Sequence, residues 1–149
     1  MKEKFLIHII LTLILGTFAI QESYSQSCRG YERRCESAPR YFQSSSLSRA
    51  VTLRKARKII INQTFFGNRE YFVSVCGHNR LGKIHFRLIA DDEDQTVLYD
   101  NAADDFKESQ LFVILNTMAV KVEISAPHYF DDRGSECAGV RIFYNQQKD

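Results

Sequence analysis

Alternation with a period of two dominates this chain. Tyr71, Val73 and Val75 fall on one side of a run whose other side carries Phe72, Ser74 and Cys76. The same rhythm returns in Ile84, Phe86 and Leu88 against Lys83, His85 and Arg87, and in Val120, Val122 and Ile124 against Lys121, Glu123 and Ser125. Val140, Ile142 and Tyr144 repeat it once more. Successive side chains of a strand point to opposite faces, so each run has one face to hide and needs a second layer to hide it against. Ile59 to Phe66 is β-branched and aromatic with no helical stripe. Gly67-Asn68 then supplies residues that tolerate positive φ, which predicts a hairpin centred on Phe65 to Gly77.

The first residues read as a targeting segment. Lys2 and Lys4 form a positive start, Phe5 to Ile20 an apolar stretch, and Ser23 and Ser25 the small residues of a cleavage site after Ser25. The apolar run is short for a membrane span, which needs about 20 such residues. Residues 1–25 are therefore expected to be a signal peptide, with no transmembrane helix after cleavage and a secreted or periplasmic product. Ser25, three places before Cys28, disfavours lipidation of that cysteine. Four cysteines, Cys28, Cys35, Cys76 and Cys137, follow the leader, and an even count in an oxidising compartment predicts two disulfides. Three pairings exist. Cys28 with Cys35 and Cys76 with Cys137 is preferred, closing loops worth about 2.5 and 4 kcal/mol in the chain-entropy model.

Residues 26–48 have weak periodicity and many breakers, including Gly30, Pro39 and Ser44-Ser45-Ser46, and predict an irregular N-terminal segment. Residues 49–149 predict one β domain. Between Gln26 and Glu70 ten Lys/Arg face three Asp/Glu, a net charge of +7; from Tyr71 to Asp149 eight face thirteen, a net charge of −5. Attraction between the two parts within one fold accounts for this without a partner. An outward basic patch is the alternative. Asn62-Gln63-Thr64 matches a glycosylation acceptor but falls inside a strand.

Short apolar runs at regular spacing make seven or eight antiparallel strands. Asn101 to Ser109 is a polar connection with room for one helical turn, and Ala126 to Glu136 is a loop rich in Asp, Pro and Gly. The fold class is all-β, a two-sheet sandwich or jelly roll. The order Gly67, Tyr71-x-Val73-x-Val75, Ile84-x-Phe86-x-Leu88 with an acidic turn, Val97-Leu98-Tyr99-Asp100-Asn101, then Val120-x-Val122-x-Ile124 resembles small uncharacterised secreted β-sandwich proteins of Gram-negative bacteria. More distantly, it is similar to bacterial pre-peptidase C-terminal domains, whose jelly-roll cores show a Gly-x-x-Tyr strand and an acidic turn. The resemblance implies a non-catalytic accessory or binding module outside the cytoplasm. The sequence departs from the pre-peptidase arrangement in having no enzyme domain ahead of it, so no accessory role to a catalytic neighbour in the same chain is expected.

No Gly-x-Ser-x-Gly is present, and His85 falls on the polar face of a regular strand, where a solvated side chain is expected rather than a general base. Cys76-Gly77-His78 falls short of a zinc signature. Asp91, Asp92 and Asp94 offer oxygens to calcium, but they sit where a hairpin turn is required. No cofactor is expected. Tyr31, Tyr41 and Tyr129 fall in predicted loops, where exposed rings stack on sugars. Carbohydrate or cell-surface binding is thus the leading function, with a glycan or an envelope protein as partner. A protein–protein adaptor or structural envelope component is the alternative, and a small hydrolase the third reading. Export and the acidic second part oppose nucleic-acid binding.

Overall fold

The computed structural model describes residues 28–146. The expected signal peptide and its cleavage site lie outside the described residues. Among the described residues nine strands form two antiparallel sheets: β1 (Gln43–Ser44), β2 (Arg49–Leu53), β3 (Lys58–Phe65), β4 (Arg69–Gly77), β5 (His85–Ala90), β6 (Val97–Asp100), β7 (Ser109–Ile114), β8 (Met118–Ser125) and β9 (Glu136–Gln146). The first sheet runs β9-β4-β7, with β1 and β2 both paired to β9; the second runs β3-β8-β5-β6. Among the described residues the helical pieces are three short 3-10 turns, Tyr31–Arg34, Asn79–Leu81 and Asn101–Asp104.

The alternating residues meet between the sheets as the periodicity requires. Tyr71, Val73 and Val75 of the first sheet and Phe86, Leu88, Val120, Val122 and Ile124 of the second are all buried in one core. Each contributes about 1.5–3 kcal/mol by leaving water. Phe65 and Tyr71 stack with ring centroids 4.3 Å apart across the junction between the sheets. Asn101 is fully buried yet satisfied: its Oδ1 accepts from the Phe86 N–H at 2.9 Å, and its Nδ2 donates to the carbonyls of Ile84 at 2.9 Å and Lys107 at 3.0 Å. It ties the Asn101–Asp104 turn to β5.

The expected hairpin is overturned. Phe65 to Gly77 is not a hairpin, because β3 belongs to the second sheet and β4 to the first. Gly67-Asn68 is an arch between layers. It is held by the β7–β8 turn: the Gly67 N–H donates to Thr117 Oγ1 at 2.9 Å and the Asn68 N–H to the Leu115 carbonyl at 3.3 Å. Asn68 takes the positive φ of 54°. A Cβ on Gly67 would lie 2.6 Å from the Leu115 carbonyl oxygen, so close approach requires glycine there.

Candidate functional site

The N-terminal segment is strapped across the outer face of the first sheet. Its first 3-10 turn, Tyr31–Arg34, lies against β9, where a Cβ on Gly139 would come within 2.6 Å of Glu32 Cα. Cys28 is bonded to Cys137 and Cys35 to Cys76, with Cα atoms 5.3 and 5.1 Å apart. All four cysteines are therefore oxidised, but the preferred pairing is wrong. Cys76 sits opposite Gly139 in the β4–β9 ladder, two residues from Cys137. Such diagonal neighbours lie about 7–8 Å apart, at the limit of what a disulfide can span. Polar contacts complete the strap. Ser74 Oγ donates to the Glu36 carbonyl at 2.8 Å, Ser109 Oγ to the Glu36 carboxylate at 2.6 Å, and Arg141 Nη1 to Ser37 Oγ at 2.7 Å.

Beyond the strap the same face carries a row of apolar side chains. Phe72 and Phe143 are cross-strand partners, with centroids 6.2 Å apart; Phe42 packs on Phe72 at 6.3 Å and Tyr41 on Phe42 at 4.9 Å. The Arg141 guanidinium covers the Phe143 ring at 4.6 Å. The row continues onto the edge strand β7, where Leu111 pairs with Phe72 and Val113 with Glu70. Here it reaches water: Leu111 is 45 %, Val113 51 % and Tyr41 63 % exposed.

The predicted sugar-stacking residues do not form one platform. Tyr41 is exposed, whereas Tyr31 is partly buried beneath the Arg34 guanidinium at 4.9 Å. Tyr129 lies on the β8–β9 loop, but its ring is packed into the core, which removes it as a surface ligand contact. Burial pushes its hydroxyl pKa up, helped by Asp131 and Glu136, and the hydroxyl has no hydrogen-bond partner among the described residues.

In the acidic turn, Asp91 is bound by Lys121 Nζ at 2.7 Å. Asp92 Oδ1 accepts the Thr96 N–H at 3.0 Å. The hydrogen bond from Lys121 holds the Asp91 carboxyl below its usual range, and the Thr96 N–H does the same for Asp92. Asp94 is exposed. Among the described residues no group of three or more His, Cys, Asp or Glu side chains could hold a metal ion.

His85 is not a freely solvated side chain, because its Nε2 lies 2.7 Å from Asp100 Oδ1. His78 Nδ1 likewise lies 3.3 Å from the buried Glu136, which also accepts from Arg80 at 3.0 Å. Neither pair has a serine hydroxyl or thiol in hydrogen-bond contact among the described residues. The same His78 Nδ1 accepts the Arg80 N–H at 3.3 Å, so its approach to Glu136 is a close contact and not a hydrogen bond, and Asp100 accepts the N–H of Ala102 at 2.9 Å. These pairs fix turns. Sequence reading missed both, since nothing in the spacing brings His85 to Asp100 before β5 pairs with β6.

No family model matches the chain, the pre-peptidase domains included, and no curated protein matches it by sequence. Among solved structures it is similar to PliG of Aeromonas hydrophila, a periplasmic lysozyme inhibitor of g-type lysozyme. The TM-score is 0.51 at 9% identity, over 74% of this chain and 93% of that one. The two share a fold. Among the described residues no helix is long and apolar enough to cross a membrane.

Proposed function

We propose that this protein is a non-catalytic protein-binding module acting outside the cytoplasm, and that its partner is a secreted hydrolase of the lysozyme kind. The observation that carries this reading is the shared fold with the periplasmic inhibitor, which extends over nearly all of that chain. Two disulfides favour an oxidising compartment. The exposed row Leu111, Val113 and Tyr41 supplies an apolar contact surface beside a rigid, cross-linked face. Of the three tyrosines that suggested carbohydrate binding, Tyr129 is packed into the core and Tyr41 is the exposed one.

The test uses the oxidised mature chain against purified g-type lysozyme. Biolayer interferometry is expected to show saturable binding, and a peptidoglycan-clearing assay to show inhibition. Absence of both at micromolar protein overturns the reading. Retention on insoluble peptidoglycan without lysozyme binding would return the function to a glycan.

A further inference from the structure

The border of the sandwich opposite β7 is formed by β3 and the segment around β1. Between β3 and the Ser44–Leu47 segment lies a cleft of about 740 Å³ lined by Ser45, Asn62, Gln63, Thr64, Arg69 and Tyr144, among others. Its lining includes one cation and no carboxylate.

Three features of this cleft ask for the same ligand. The first is an edge. β3 pairs with β8 on one side over eight consecutive residues, and its other side makes no backbone hydrogen bond to any described residue. An open ladder of this length is a template for an added strand. The second is Gln63. It is 8 % exposed, and its side-chain amide nitrogen is buried with no hydrogen-bond partner among the described residues. Leaving a buried amide unpaired is costly, and a side-chain amide is the natural complement of a peptide group, offering donor and acceptor together.

The third feature is Arg69, which stands two residues before Tyr71 on the inward face of β4. Its guanidinium lies between two rings, 5.1 Å from the centroids of both Phe66 and Tyr144. It makes no ion pair or side-chain hydrogen bond among the described residues. A cation held this way loses little freedom when it meets a carboxylate, and the planar fork matches that group in two parallel hydrogen bonds.

We propose that this cleft binds an extended peptide bearing an acidic side chain. The peptide adds to the free edge of β3, with Gln63 meeting its backbone and Arg69 its carboxylate. The site is on the border of the sandwich away from β7, and the proposal stands whether or not the partner at the other face is a lysozyme.

A display library of random decapeptides panned on the oxidised chain tests it. Fluorescence anisotropy then measures a labelled selected peptide. The expected result is a selected set enriched in Asp or Glu, with binding weakened about tenfold or more by Arg69→Gln at an unchanged thermal midpoint. Arg69→Lys should restore part of that loss, because the charge returns without the fork. On the unaltered protein, N-methylation of alternate peptide nitrogens should abolish binding, as ladder pairing demands. The proposal is overturned if panning enriches no peptide, or if the selected peptides bind Arg69→Gln equally well. Indifference to N-methylation would also overturn it. So would a dimer of this chain that Arg69→Gln dissolves, since a second copy would then be the occupant.

Discussion

The two outer faces of the sandwich are closed by different chemistry. On the first sheet, chain from the N-terminal segment is bonded covalently over β4 and β9. On the second sheet no described segment is bonded across the face, and charge does the closing. Glu123 on β8 receives Lys58 Nζ from β3 at 2.7 Å and Arg87 Nε from β5 at 3.0 Å, with a second hydrogen bond from Arg87 Nη2. One carboxylate thereby bridges three strands. Reductant is therefore expected to loosen the first face more than the second, and acid the second more than the first.

Removing the covalent closure should have the largest effect. In the chain-entropy model each bridge taken singly contributes about 4–5 kcal/mol, against the measured range of about 2–5 for small secreted domains. Cys35→Ala with Cys76→Ala should therefore lower the urea midpoint sharply, and dithiothreitol should do the same to the unaltered chain. An unchanged midpoint would mean that packing of Phe42 on Phe72, rather than sulfur, holds the segment.

Breaking the ionic closure comes next. Arg87→Ala leaves a nearly buried carboxylate with one partner, and a cost of about 1–3 kcal/mol is expected. Its acid dependence follows from the Glu123 carboxyl. Burial pushes that group up, but the hydrogen bonds and charges of Lys58 and Arg87 prevail and hold it below its usual range. A folded pKa below the unfolded one gives stability that is full above the unfolded value of about 4.3 and is lost as pH falls through the folded value. The stability gap between the unaltered chain and Glu123→Gln should thus be widest near neutrality and close in acid. A gap that widens on acidification would reverse the assigned sign.

The smallest effect on stability belongs to the exposed row. Leu111→Ser with Val113→Thr should change the folding free energy by about 0.5 kcal/mol or less per site. On the proposed reading the pair weakens lysozyme binding measurably. Unaltered affinity would move the partner off this face.

The individual strands could be read from sequence more fully than their partners. Ile84, Phe86 and Leu88 are buried as their alternation demands, and Val120, Val122 and Ile124 behave likewise. Alternation reports which residues of a strand face inward; it carries no information about which sheet the strand joins. Gly67-Asn68 therefore looks the same locally whether it turns a hairpin or an arch, and the contacts that decide between them come from Leu115 and Thr117, far along the chain. β1 escaped notice because two residues cannot show a period. Cysteine pairing was equally hidden, since it depends on the β4–β9 register that places Gly139 opposite Cys76. Gln63 reads as one polar residue among three in Asn62-Gln63-Thr64. Only the inward turn of its side chain at the border of the sheet marks it out.

The bond between Cys28 and Cys137 has a topological result. It spans 109 positions and makes a covalent ring of nearly the whole folded body. A protease that nicks any one loop inside that ring frees no fragment, and the pieces stay joined until thiol is added. Nor can the oxidised ring pass as a single file through a narrow pore, so any machine that threads polypeptides must first reduce it or pull two strands abreast.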